Sequence, residues 1–327
     1  GGGNFDLFSP VWAKDGAEVV EWAAAQSWSN GVVGMLGYSY PGIMQLFTAA
    51  EQPPHLKAIA PANVITDLYA DVGAPGGILN VTFASLFTVQ QEAPSGAAVP
   101  SSVLAGDAEC GANHLTNFAS YRAFVVEGLL DGTYRDDGFD YDKRSVSKDL
   151  SKITVPMLNV LYWQDEQTGS RMGGFIQPGG FYKKTDLSKV WTLWSNGNHD
   201  FTYHNKTYVD LAEKFFDHYL RGQKNGWERT PHIQIMHEVR ADDETANWVT
   251  TYNELPNPEP VAFYLDANGA LSRQPTQETA STNYLYPFLS PGINPFPGGL
   301  PIPTLLPNMI PPDALDVLWK VPGSLAH

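Results

Sequence analysis

Residues 31–50 read GVVGMLGYSYPGIMQLFTAA. Val32 to Leu36 is a short apolar run bounded by turn residues, the pattern of a strand buried on both faces. Gly37 to Pro41 then forms a tight turn around Ser39. The apolar stretch that follows continues as a helix until Pro53 and Pro54, where no helix can be propagated. Strand, turn and helix in this order start an alternating α/β pattern. LKAIAP, from Leu56 to Pro61, supplies the next buried strand, which predicts a parallel sheet with helices on its faces.

Further units extend that pattern on both sides. DGAEVVEWAAAQ, Asp15 to Gln26, has apolar residues at helical spacing and no proline. ITVPMLNVLYW (Ile153 to Trp163) and KVWTLWSNGNHD (Lys189 to Asp200) read as strands with their following loops. YVDLAEKFFDHYLRG reads as a helix ending on Gly222. Between about residues 76 and 150 the short buried runs give way to mixed segments, and this stretch is expected to be a mostly helical insertion. From residue 229 the texture changes to period-two alternation in HIQIMHEV and EPVAFYLDANGALS, with a turn over Asp266 to Gly269, so a β domain is expected there. Tyr284 to Pro312 is dense in proline and glycine and suits a long loop.

Composition excludes several roles. The 327 residues are 43% hydrophobic and 12% aromatic, enough to bury a sizeable core. A formal charge of −15 repels phosphate backbones and anionic membrane surfaces, which argues against nucleic acid or a membrane as partner. No apolar run approaches the ~18–20 residues of a membrane helix. The single Cys110 can close no internal disulfide. Compartment and oligomeric state are not assigned by these features.

The chemistry is expected at Ser39. A serine hydroxyl becomes a nucleophile only with an adjacent base, an acid that orients that base, and donors for the developing oxyanion. On an α/β scaffold such a serine stands on a strained strand-to-helix turn, and the acid and the histidine follow it in that order. Gly37 relieves crowding before Ser39, and Gly42 lets the helix pack closely. Pro41 is tolerated in the first turn. The amide of Tyr40, at the helix N-terminus, is placed to donate to an oxyanion. The spacing is Gly-x-Ser-x-x-Gly, with the second glycine one position later than in the common Gly-x-Ser-x-Gly elbow. Asp165 follows the run ending at Trp163, with Glu166 as a rival acid. His199 follows the run through Trp194, with His204 as its rival. The acidic loop RDDGFDYDKR, with Asp136, Asp137, Asp140 and Asp142, lacks calcium-loop spacing and reads as a solvated loop or an attractor for a cationic substrate group. His199 and His204 are poorly spaced for a shared metal on a helix, and Cys110 has no histidine-paired environment that would activate it.

WSNGVVGMLGYSYPG, LKAIAPANVITDLY, VLYWQDEQTG and EKFFDHYLRGQKNGW together resemble the CocE/NonD hydrolases, the family of cocaine esterase, the Xaa-Pro dipeptidyl-peptidases and the α-amino-acid ester hydrolases. The family's serine motif is itself Gly-x-Ser-Tyr-x-Gly, so the late Gly42 fits it. The resemblance implies an α/β-hydrolase core in two parts, residues 1–75 and 151–228, around a helical cap at 76–150. It implies an incomplete C-terminal jelly-roll β domain at 229–327. It further implies Ser39 as nucleophile, Asp165 as triad acid, His199 as base and the Tyr40 amide as half of the oxyanion hole. The other half is expected from a tyrosine upstream of Gly1, together with further strands, so the sequence is expected to be truncated at both ends. The implied activity is hydrolysis of a carboxylic ester or amide of a small molecule or short peptide, without metal or cofactor.

Overall fold

The computed structural model describes residues 6–77, 80, 99–130, 134–135, 140–163, 165, 181–197, 199, 205–237, 248–254, 261–265 and 271–275. Six strands form its main sheet in sequence order: β1 (Val33–Tyr38), β2 (Leu56–Ala62), β3 (Met157–Tyr162), β4 (Val190–Ser195), β5 (Ile233–His237) and β6 (Trp248–Tyr252). β1 to β5 are parallel, and β6 returns antiparallel to β5. Helices among the described residues include α1 (Pro10–Ala24), α2 (Tyr40–Ala50), α3 (Ala108–Leu130), α4 (Phe181–Lys184) and α5 (Lys206–Tyr219). This is the α/β architecture expected from the alternating pattern.

Alternating side chains explain how the sheet is covered. Ala58, Ala60 and Ala62 of β2, Leu158, Val160 and Tyr162 of β3, and Trp191 and Leu193 of β4 pack with Tyr208, Ala212 and Phe215 of α5 in one cluster. Residues of the opposite parity, Ile59, Met157 and Leu161, are also buried, because α2 and its neighbours lie over the other face. A parallel sheet clothed on both faces needs such continuous apolar strands. β3, MLNVLY, is buried along its whole length.

β1 departs from expectation. It forms where the sequence predicts it, but only Gly37 within it is buried and Leu36 is 52% exposed. Among the described residues β1 has a strand partner, β2, on one side. A second correction concerns HIQIMHEV. Its strand, β5, pairs in parallel with β4 through Thr192, Leu193 and Trp194, so it extends the main sheet and does not start a separate β domain. The chain divides into two compact units near Asn253 and Glu254. In the second unit a short antiparallel pair, β7 (Tyr264–Leu265) and β8 (Leu271–Ser272), matches part of the alternation read from the sequence; its turn lies outside the described residues. Between residues 76 and 150 the described regular elements are helical. The Pro- and Gly-rich stretch from Tyr284 to Pro312 lies outside the described residues.

α1 and α2 cross with almost no space between them. A Cβ added at Gly16 of α1 would stand 2.1 Å from the Thr48 hydroxyl oxygen of α2, which is buried and has no hydrogen-bond partner. Gly16→Ala should therefore cost about 1–3 kcal/mol through overpacking. Adding Thr48→Ala should recover most of that loss, and a double-mutant cycle by urea denaturation measures the coupling.

Candidate active site

Ser39 joins β1 to α2 with φ 59° and ψ −133°, a left-handed conformation that L-residues seldom adopt. Such a residue costs on the order of 1–3 kcal/mol and persists only where its surroundings over-determine it. Three contacts do so here. The Ser39 amide donates to the Ala62 carbonyl at 2.9 Å, and the Ser39 carbonyl accepts the Ile43 amide at 2.8 Å as the first bond of α2. Gly42 lets α2 approach the end of β2: a Cβ there would lie 2.7 Å from both the Ala62 oxygen and Val64 Cγ1, and 2.9 Å from the Gly37 oxygen. Gly37 is likewise closed in, since a methyl group on its Cα would meet Pro41 Cβ at 2.8 Å. Both glycines of the Gly-x-Ser-x-x-Gly stretch are thus required by contact.

Gln45 is a residue that sequence reasoning missed. Its side chain is 1% exposed. Its amide nitrogen donates to the carbonyls of Gly37 and Pro41, each at 3.2 Å, and its oxygen accepts the Ala60 amide at 3.0 Å. One side chain therefore braces β1, α2 and β2 around the serine turn. The available signal was a lone amide in the apolar run GIMQLFTAA, since a buried polar group needs partners.

Asp165 and His199 are brought together. His199 Nδ1 lies 2.9 Å from Asp165 Oδ1, and the two side chains are 3% and 0% exposed. The Asp165 amide donates to the Tyr162 carbonyl at the end of β3, while the Trp163 amide crosses to Ser195 on β4. The loop carrying His199 is closed at its base by Asn205, whose side chain donates to Ser195 Oγ at 3.1 Å and also caps α5 through the Tyr208 amide. The His199 ring meets the ring of Tyr38, the residue before Ser39, edge to face at 5.7 Å. The His199 carbonyl accepts a 2.6 Å bond from the Asn63 side chain. The rivals Glu166 and His204 lie outside the described residues.

Tyr40 occupies the first position of α2, where a helix leaves its amides without intrahelical acceptors. Its ring is held by Phe8 and Trp12, each with centroids 5.3 Å away, and its hydroxyl is buried without a partner. Burial pushes the phenol well above the usual tyrosine range. On the approach to Asp165, Trp163 stacks on Trp194 at 4.2 Å.

The described aspartates of the acidic loop, Asp140 and Asp142, are committed to internal pairs. Asp140 caps the turn of Lys143 and pairs with its ammonium. Asp142 pairs with Arg135 at 2.9 Å, and Arg135 also reaches Asp67 at 2.6 Å. Asp67 and Asp71 follow β2, where Asp71 accepts the amides of Thr66 and Asp67. Asp136 and Asp137 lie outside the described residues. Cys110 sits on α3, where it lines a cavity of about 360 Å³ together with Asp107, Glu109 and His114. Among the described residues no three His, Cys, Asp or Glu side chains are grouped to hold a metal, and no helix is long and apolar enough to cross a membrane.

Residues 1–177 match the profile described as X-Pro dipeptidyl-peptidase (S15 family). The chain belongs to this family. Among relatives of this S15 member, cocaine esterase of Rhodococcus sp. (strain MB1 Bresler) is 27% identical over 299 residues, covering 82% of this chain and 50% of the esterase. A putative Xaa-Pro dipeptidyl-peptidase of Streptomyces avermitilis is 26% identical over 229 residues, covering 70% of this chain and 30% of that protein. Among solved structures, a CocE/NonD family hydrolase from Staphylococcus aureus superposes with a TM-score of 0.64 at 26% identity, over 83% of this chain and 44% of that one. The chain spans about half the length of cocaine esterase. These likenesses bear out the CocE/NonD resemblance and the α/β-hydrolase fold.

Replacing Gln45 by leucine keeps the volume but removes the side-chain oxygen that accepts the buried Ala60 amide. Gln45→Leu should lower stability by about 1–3 kcal/mol for the unsatisfied amide alone. The midpoint of urea unfolding checks this.

Proposed function

We propose that the protein is a serine hydrolase that cleaves a carboxylic ester through an acyl-enzyme, with Ser39 as nucleophile, His199 as base and Asp165 as the acid that orients it. The observation that carries this reading is the solvent-excluded contact of 2.9 Å between Asp165 and His199, beside the residue that precedes a strained Ser39. An aspartate at Nδ1 fixes the tautomer in which Nε2 is free to accept a proton, and stabilises the imidazolium that then forms.

In the first half-reaction Nε2 of His199 takes the Ser39 proton as Oγ attacks the substrate carbonyl. The carbonyl oxygen gathers negative charge, and the Tyr40 amide at the positive end of α2 is the donor placed nearest in sequence to receive it. Collapse of the tetrahedral adduct breaks the bond to the alcohol, which leaves with the proton from His199. Water then enters, gives a proton to His199 and attacks the acyl carbon. Its collapse releases the acid and returns the proton to Ser39.

The choice of an ester rests on the carboxylates. A dipeptidyl-peptidase or an α-amino-acid ester hydrolase must hold a substrate ammonium, and Asp67, Asp140 and Asp142 are already paired with Arg135 and Lys143. Xaa-Pro dipeptidyl-peptidase activity is the second reading, favoured by the description of the family and by the Streptomyces relative. Under a third reading the chain keeps the hydrolase fold for binding and carries out no chemistry.

A fluorophosphonate probe should label the wild-type protein at Ser39, and Ser39→Ala should remain unlabelled; a wild type that stays unlabelled while folded favours the third reading. With p-nitrophenyl acetate and glycyl-prolyl-p-nitroanilide offered at equal concentration, hydrolysis of the first is expected. Release of nitroaniline alone would establish the peptidase reading instead.

A further inference from the structure

The end of β2 holds more of the site than a structural strand needs to. Ala62 supplies the carbonyl that fixes the Ser39 amide at 2.9 Å. The next residue, Asn63, is fully buried and leaves strand geometry with φ 51°. Asparagine tolerates this left-handed conformation better than most residues with a side chain. Its backbone amide donates to the Val160 carbonyl on β3, at 3.0 Å, the strand that ends just before Asp165. Its side-chain Nδ2 donates to the carbonyl of His199 at 2.6 Å. Two consecutive residues thus bond to the serine turn, to the strand leading to the acid and to the histidine itself.

We propose that Asn63 is a positioning residue, which sets the reach of His199 to Ser39 by holding the His199 backbone to the end of β2. The inference rests on the serine-hydrolase reading above. Its physical basis is the pair of elements that this bond joins. The bond of Nδ1 to Asp165 restrains one side of the ring, and Asn205 closes the loop at Ser195, four residues before His199. Neither of those two ties the histidine to the element that holds the nucleophile. The bond from Asn63 does, because Ala62 and Asn63 are adjacent in one rigid strand end. Removing it leaves the ring paired with Asp165 but allows the pair to shift relative to Oγ. A displacement of about 1 Å between reacting groups can cost on the order of 100-fold in rate.

Asn63→Gly accepts the left-handed backbone and removes the side-chain donor to His199. Asn63→Asp keeps size and backbone preference but turns an acceptor towards the His199 carbonyl. The full chain and both variants are titrated with a fluorophosphonate, so that end-point labelling counts competent Ser39 sites and the second-order rate reports their reactivity. Esterase kcat and KM with p-nitrophenyl acetate are measured per titrated site. The expected result is full end-point labelling with a rate and kcat lowered about 10- to 100-fold in Asn63→Gly, lower still in Asn63→Asp, and KM within about twofold of wild type. A purely structural role would reduce the number of titrated sites and leave the rate per site unchanged, which would overturn the proposal. So would wild-type rates in both variants. If one variant fails to fold, the rate per site of the other decides. A folded wild type that takes no label defeats the serine-hydrolase reading and this inference together, whereas a labelled wild type with equally reactive variants defeats the inference alone.

Discussion

Ser39 keeps its left-handed backbone because the Ala62 carbonyl holds its amide and because Gly42 admits the same carbonyl against α2. Without that close approach the helix would stand off the sheet, and the turn would relax to an ordinary conformation. The rest of the site is arranged around this contact. β2 is the strand that receives it, α2 is the helix pressed onto it, and Gln45 ties both to β1 through three bonds of its own. The strain at the serine is local, while the interactions that sustain it are distributed over buried, bonded polar groups, which is the condition under which strain survives.

Charge is handled differently from packing. The chain carries a large excess of acid, yet the described carboxylates near the sheet's carboxyl end are not idle. Arg135 joins Asp67, just past β2, to Asp142 in the insertion, and lies over the Tyr69 ring at 5.3 Å. Its guanidinium is part exposed, so solvent screens much of the attraction. Under the proposed ester reading, carboxylates already paired with arginine offer little to a substrate ammonium.

Much of the fold was legible because parallel strands buried on both faces leave continuous apolar runs; β2, β3 and β4 appear where those runs do. Strand pairing is not written in a strand's own pattern. HIQIMHEV alternates like a strand exposed on one face, yet it pairs in parallel with β4. Ser39, Asp165 and His199 stand out as candidates from order and placement after strands, and the structure brings Asp165 and His199 into contact. Gln45 and Asn63 do not stand out, because their roles are bonds to backbone atoms distant in sequence, and a backbone carbonyl leaves no trace in the identity of its residue. The only clue was polarity inside an apolar context.

Among the described residues, the hydrogen bonds named above around the serine turn come from a short contiguous length of chain: Gly37, Pro41, Gln45, Ala60 and Ala62 lie in β1, α2 and β2. The segment between residues 76 and 150 contributes none of these bonds. Divergence can therefore act on the two regions separately. Under the serine-hydrolase reading proposed above, substitutions and length changes between residues 76 and 150 leave the bonds that hold the nucleophile's turn untouched, so that stretch can diverge without rebuilding the turn.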